Sequence, residues 1–502
     1  MSYAIENLKF TIFGSGHDYT RLDSGDGQPM FFSHPYVPLN AINYAGQYLF
    51  YVPDEDGNPI DAVLEDIEHC TFTPALGTAF DTEGTVEVKV KYRREYPHDE
   101  NTILVEKELS QNIEVVNHGT VTRSTYYYDI YSDGYCYVHP NGNYVSRSNG
   151  YWFSQSFTKI SSLPWGTTSF SKTSSNLPIA LEDVSELGYA DMSKIKNMSG
   201  MFRDLRYLRD ISNLGLWDVS EVTNMSQMFS GCQSLVDLSP LKTWKTPKVS
   251  SFESMFAGCL NLETTDGLQG FKFNEAYTVA NMFDGCYKLT DLNGIKDWDF
   301  SVVFDMTFYW MFGRCFKLTD LTPLRNWNTS KVYNMACMFL GPDFTGGNPP
   351  SILTSLDGLQ DWDVSNVVDF NWMFGDQVWL NDISAVTNWN VSNGTNFEGM
   401  FAMTSPLNLT PLANWDMSKA TNLGSMFNMS AKAWSELLEE YVIVINQYRY
   451  DYEGNEYTGG ATDPVTRITQ DASAVSGWNV PNGSGAFLDS FSTTWINIPA
   501  WN

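Results

Sequence analysis

Apolar and polar positions over about residues 192–428 of this chain repeat with a period close to 27 residues. The marker is a Met-Phe pair, found nine times: Met201-Phe202, Met228-Phe229, Met255-Phe256, Met282-Phe283, Met311-Phe312, Met338-Phe339, Met373-Phe374, Met400-Phe401 and Met426-Phe427. The steps between pairs are 27, 27, 27, 29, 27, 35, 27 and 26 residues. Around one pair, Val222, Met225, Met228 and Phe229 fall at i, i+3, i+6 and i+7, which predicts a short helix with one apolar stripe. Ser220 stands where an N-cap belongs, and Gly231 where a chain leaves a helix in the left-handed conformation. Ser330 with Gly341 and Ser365 with Gly375 repeat that punctuation.

After each pair, aliphatic residues follow at every third position. Cys232 leads to Leu235, Leu238, Leu241 and Trp244; Cys286 leads to Leu289, Leu292, Ile295 and Trp298; Cys315 leads to Leu318, Leu321, Leu324 and Trp327. This spacing predicts a short strand and a bend, so that each period is one coil of a spiral. A single coil has too little partner surface to bury its own stripe, so neighbouring coils are expected to stack.

The stretch WDVSEVTNMSQMFSGCQSLVDLSPL, residues 217–241, resembles the BspA-type leucine-rich repeat of bacterial and protist surface proteins, also seen in mycoplasma lipoproteins. The resemblance covers about residues 192–428. It implies a surface protein used in attachment or protein binding, with no catalytic residue and no cofactor. Three departures stand out: Phe271 replaces a Trp, the Cys ends after Cys315, and an insertion around Gly346-Gly347-Asn348-Pro349-Pro350 lengthens one coil.

The fold class expected is α+β. Residues 1–120 read as an antiparallel β-sandwich of immunoglobulin-like size, acting as a docking domain. Thr85–Tyr92 alternates with period two, and the segments Tyr48–Val52 and Ile60–Leu64 flank a turn. Residues 121–178 read as a Tyr-rich hairpin module with a Ser/Thr-rich connector. Residues 179–430 are the leucine-rich-repeat-type α/β solenoid of about nine coils. Residues 431–502 form its cap, an amphipathic helix over Ala433–Val444 and a degenerate coil with Trp478, Phe487 and Phe491.

Charge narrows the function. A net charge of −29 argues against nucleic acid, whose phosphates call for Lys and Arg clusters. No run of 18 apolar residues predicts a membrane span. Met1–Asn7 lacks the basic and apolar regions of a signal peptide. The expectation is therefore a trimmed leader, or a chain that reaches its surface by another route, as a phage virion component does at lysis.

Candidate chemistry is sparse. His17, His34, His69, His98, His118 and His139 all precede the repeats, so none is available within them as a general base. Asp54, Asp56, Asn58 and Glu65 only loosely follow a calcium loop, with Pro59 at the expected Gly. Cys232, Cys259, Cys286 and Cys315 recur at the period and read as small buried apolar groups, because no CxxC pair supports zinc. Trp217, Trp244, Trp298, Trp327, Trp362, Trp389 and Trp415 hold a nearly fixed register to the Met-Phe pairs, as core packing requires. Tyr309, Trp310, Phe344, Trp372 and Trp379 fall outside that register and are the expected contact residues.

The functional expectation is a non-enzymatic recognition or structural protein. Its β region would dock on other virion or surface proteins, and its repeats would bind a host-surface protein or glycan. A phage head or tail appendage is favoured over a bacterial cell-surface adhesin, and a carbohydrate-active enzyme is the third reading.

Overall fold

The computed structural model describes residues 11–15, 47–53, 59–60, 70–73, 84–98, 101–115, 121–124, 128–132, 134–138, 159–160, 180–185, 187, 195–303, 306–342, 350–405, 407–428, 432–435, 440–445, 448–450, 456–457, 465–466, 468–481, 485–487 and 493–500. The chain divides into two compact units. One holds residues 1–168, 176–195 and 210–219; the other holds 169–175, 196–209 and 220–502.

In the first unit, β1 (Thr11–Ser15), β2 (Gln47–Pro53) and β3 (Pro59–Ile60) form an antiparallel sheet in chain order. A second sheet joins β4 (Cys70–Thr73), β5 (Gly84–His98) and β6 (Asn101–Val115). The alternating segment Thr85–Tyr92 lies within β5, which pairs with β6 along its whole length, from Gly84↔Val115 to His98↔Asn101. A third sheet has β7 (Val121–Ser124), β8 (Tyr128–Tyr131), β9 (Tyr135–Val138) and β10 (Lys159–Ile160), with β10 parallel to β9. Lys159–Ile160 thus belongs to a sheet, although its Ser-rich surroundings read as connector. In the same unit Asp183 forms a parallel bridge with Asp210, and the Trp217 indole donates to the Leu187 carbonyl at 2.6 Å.

The second unit contains repeats that hydrogen-bond side by side. Parallel bridges join Asn197, Asn224, Ser251, Thr278 and Thr307 in succession, and Asn334, Asp369, Asn396 and Asn422 likewise. Between these runs, Met306–Thr307 (β11) pairs in parallel with Val332–Asn334 (β12). Each bridge residue also closes a local turn: the Asn224 side-chain oxygen accepts the Ser226 amide at 2.8 Å, and Asn334 accepts Ala336 at 2.8 Å.

The Met-Phe segments are not helices. Residues just before the pairs are left-handed: Gln227 (φ 59°), Ser254 (57°), Asn281 (57°), Trp310 (56°), Cys337 (57°), Trp372 (50°) and Ser425 (57°). Three residues after Met, Gly231 (76°), Gly258 (72°), Gly285 (71°), Arg314 (57°) and Asp376 (58°) are left-handed again. A left-handed residue every fourth position breaks the helical ladder. Amides then alternate in direction. Gln227, Phe229 and Gly231 donate to Glu253, Met255 and Ala257 of the next coil at 2.8, 2.9 and 2.7 Å. Met228, Ser230 and Cys232 donate backwards to Met225, Gln227 and Phe229 at 3.2, 3.1 and 3.1 Å. The i, i+3, i+6, i+7 stripe therefore arises from stacked turns rather than an α-helix. Ser330 and Ser365 are not N-caps either: their amides donate to Asn328 and Asp363 at 3.1 and 3.0 Å.

The three-residue aliphatic spacing also differs from the expected strand. Ser239–Thr243, Asn293–Ile295, Thr322–Leu324, Ser384–Val386 and Thr410–Leu412 are 3-10 turns. Three residues per turn is the period of that helix, whereas a strand alternates with period two. Among the described residues the repeats contain no α-helix.

Towards the C-terminus, Lys432–Ser435 (β13) and Glu440–Ile445 (β14) are antiparallel strands, with Ala433↔Val442 and Trp434↔Tyr441 in register. This replaces the helix expected over Ala433–Val444. The run Tyr441-Val442-Ile443-Val444 is rich in β-branched and aromatic residues, which suit a pleated strand. Trp478 and Phe487 join the repeat packing described next, while Phe491 lies outside the described residues.

Candidate functional site

Two aromatic columns fill the interior of the stack. Phe229 and Phe256, Phe256 and Phe283, Phe283 and Phe312, and Phe339 and Phe374 stack with centroids 5.6, 5.7, 5.5 and 5.8 Å apart. Trp298, Trp327, Trp362, Trp389, Trp415 and Trp478 form the second column, at steps of 6.0, 6.2, 6.5, 6.5 and 6.5 Å. Phe271 stands in line with it, stacked on Trp298 at 6.3 Å and 9°. Each indole N–H in this column has a backbone partner, as in Trp298 to Leu268, Trp327 to Ile295 and Trp389 to Leu359, all at 2.9 Å. The Met and Phe of all nine pairs are buried, as are Trp217, Trp244, Trp298, Trp327, Trp362, Trp389 and Trp415.

Cysteines line the same interior. Cys232, Cys259, Cys286 and Cys315 donate to the carbonyls of Phe202, Phe229, Phe256 and Phe283 at 3.1, 3.3, 3.3 and 3.3 Å. All four are free thiols. In the coil of Phe374, where Gln377 stands in place of Cys, the Gln377 amide takes over the bond, donating to Phe339. Burial pushes the Cys259 thiol up to about 12, and the thiols of Cys232, Cys286 and Cys315 also upward. Among the described residues no group of His, Cys, Asp and Glu is arranged to hold a metal.

The expected contact residues separate. Tyr309 is 40% exposed and packs edge-on to Trp310 at 6.3 Å. Trp310 and Trp372 are half-buried. Both are bulky residues held left-handed, a conformation that costs about 1–2 kcal/mol outside glycine. Glycines make room for them: a Cβ on Gly313 would come within 2.5 Å of the Trp310 ring, and one on Gly399 within 2.4 Å of the Trp372 ring. Trp379 is buried at 4% exposure and is not a surface contact; its departure from the Trp register placed it elsewhere in the core. Phe344 and the insertion Gly346–Pro349 lie outside the described residues, as do Asp54, Asp56, Asn58 and Glu65. Other exposed apolar side chains stand on the repeats, including Tyr277 (56%), Tyr333 (40%) and Val368 (38%).

A further group had no forecast. Ser230, Gly231, Ala257, Gly258, Leu260, Asp284, Gly285, Tyr287 and Arg314 line a surface cleft of about 300 Å³. Arg314 grips the Asp284 carboxylate with two nitrogens, Nε to Oδ1 at 2.9 Å and Nη2 to Oδ2. Burial pushes the Asp284 carboxyl up from its ordinary value, and the Arg314 hydrogen bond and charge pull it part of the way back. The same bond raises Arg314. The guanidinium also lies 5.3 Å from the Trp310 ring centre, and Tyr287 stacks on Phe316 at 4.2 Å. The signal for this group was the break in repeat lettering: Phe-Ser-Gly-Cys and Phe-Ala-Gly-Cys become Phe-Asp-Gly-Cys, then Phe-Gly-Arg-Cys.

This geometry is that of repeats bonded edge to edge, each supplying one rung of shared columns. A family model for mycoplasma proteins of unknown function, DUF285, matches residues 167–291, 263–346 and 351–448. The matches span more than half of the chain, and the protein belongs to that family. No curated protein and no solved structure matches it. Among the described residues no helix is long and apolar enough to cross a membrane.

Proposed function

We propose that the chain is a non-enzymatic recognition protein whose repeats form a BspA-type leucine-rich solenoid. In this reading the N-terminal β region docks it on a larger assembly, a phage virion, and the repeats meet a host surface. The observation that carries the reading is the contrast between interior and exterior positions. Interior columns repeat the same side chains, while outward positions carry Tyr277, Tyr309, Tyr333 and Val368 at equivalent or neighbouring places. A fixed frame with exposed tyrosines suits binding, because a stacked array offers an extended surface whose outward side chains set its specificity.

The test has two arms. Mass spectrometry of purified particles is expected to find the chain in the virion, and fluorescently labelled full-length chain is expected to be retained on host bacterial cells. A chain found only in the host cytosol, with no retention on cells, contradicts the proposal.

A further inference from the structure

We propose that the cleft around Asp284, Tyr287 and Arg314 binds a neutral sugar, the terminal one or two rings of a glycan. This rests on the recognition reading and names its ligand class. Internal comparison supplies the first argument. At the Asp284 position, two preceding repeats use Ser230 and Ala257; at the Arg314 position, three use Gly231, Gly258 and Gly285. Those coils stack without an ion pair at these places; the first repeat has Arg203 and Asp204 there, 3.5 Å apart within one coil, whereas Asp284 and Arg314 pair across two coils. A pair set into a coil costs desolvation that packing alone does not require. Arg314 is held left-handed at φ 57°, as are Asp204, Asp376 and Met403 at the same repeat position, whereas Gly231, Gly258 and Gly285 meet that conformation without the cost of a side chain.

The chemistry of the cleft supplies the second argument. Asp284 keeps 10% of its side chain exposed and Arg314 keeps 40%. The carboxylate locks the guanidinium by two bonds, which leaves Nη1 outside the pair and orients it in advance. A hydroxyl of a vicinal diol can donate to the carboxylate while its neighbour accepts from the guanidinium. One face of Tyr287 is covered by Phe316, and Tyr287 lines the cleft together with Leu260 of the preceding coil. This gives an apolar wall for the C–H face of a pyranose. The volume, about 300 Å³, stands at the low end of small-molecule sites and suits one or two rings. The net charge of −29 and the carboxylate in the cleft disfavour an acidic sugar.

The experiment is saturation-transfer NMR on the full-length chain with chitobiose, lactose, maltose and sialyllactose, run beside the host-cell retention assay. One neutral disaccharide is expected to give signal on the native chain. Tyr287→Ala and Leu260→Arg are expected to weaken its binding by about tenfold or more, while Tyr287→Phe retains it. Unchanged thermal midpoints identify variants that are folded. Signal unaffected by either substitution, or signal with sialyllactose alone, overturns the inference. Retention on cells with no sugar signal overturns the sugar cleft and leaves the recognition reading standing. Sugar signal with no retention on cells upholds the cleft and overturns the wider reading.

Discussion

Trp362 and Trp389 stack with ring centres 6.5 Å apart and planes 2° from parallel, and Trp389 donates its indole N–H to the Leu359 carbonyl at 2.9 Å. Stacking and hydrogen bond together tie one coil to the one before it. Trp389→Phe keeps a ring but leaves a buried carbonyl without its donor, with an expected loss of about 1–3 kcal/mol. Trp389→Ala removes the rung, with an expected loss of about 3–5 kcal/mol. Urea unfolding followed by circular dichroism measures both. Equal losses for the two variants would contradict this division.

The left-handed positions make an opposite pair of expectations. Gly267 has φ 104°, and a Cβ there would sit 1.8 Å from the Leu238 carbonyl oxygen. Gly267→Ala should destabilise by roughly 2–4 kcal/mol through strain and overpacking. Ser254 is left-handed at φ 57°, so Ser254→Gly should stabilise by about 0.5–1 kcal/mol once the entropy of glycine is offset. Thermal midpoints moving in the same direction in both variants would refute the assignment of these turns.

Buried thiols with raised ionisation should resist modification. At pH 8 the native chain is expected to leave Cys232, Cys259, Cys286 and Cys315 unlabelled by a thiol-disulfide reagent, and guanidinium should expose all four. Peptide mass spectrometry reads the sites. Rapid labelling of any of them in the folded state would place that thiol outside the interior.

Two carboxylates should titrate on opposite sides of their ordinary value, 3.8. Asp284 is raised by burial, against the pull of Arg314. Its contribution to stability is complete below 3.8 and is lost as pH rises through the folded value. Asp299 is lowered, chiefly by the Ser301 amide and then the Ser301 hydroxyl. Its contribution is present above 3.8 and is lost as pH falls through the folded value. Carboxyl NMR titration of the native chain and of Asp284→Asn assigns the first midpoint, and Asp299→Asn the second. Midpoints in the reverse order would contradict the environments described.

The period itself was legible because Met, Phe, Cys and Trp each return in one register, and stacked coils place matching positions in matching surroundings. The local conformation was not. Stripe positions i, i+3, i+6 and i+7 occur in a helix and equally in two successive turns, and the deciding residues, Gln227, Ser254 and Asn281, are not glycines. Ser330 carries the letters of a helix cap, but its amide donates to Asn328 instead. Among exposed aromatics, Tyr309 could be picked by its departure from the register, yet the same criterion chose Trp379, which is buried. Asp284 and Arg314 were hidden because they are 30 residues apart and ordinary in type. Only alignment of the repeats against one another sets them apart.

The central claim is that the repeats hold together as one hydrogen-bonded stack, and native-state hydrogen exchange tests it most directly. Amides of Phe229, Phe256, Phe283, Phe312 and Phe339 each donate to the next coil at 2.9 Å. They are expected to exchange slowly and with a common free energy, as one cooperative block. Fast exchange at these amides, or independent rates repeat by repeat, would contradict the stack and the recognition surface built on it.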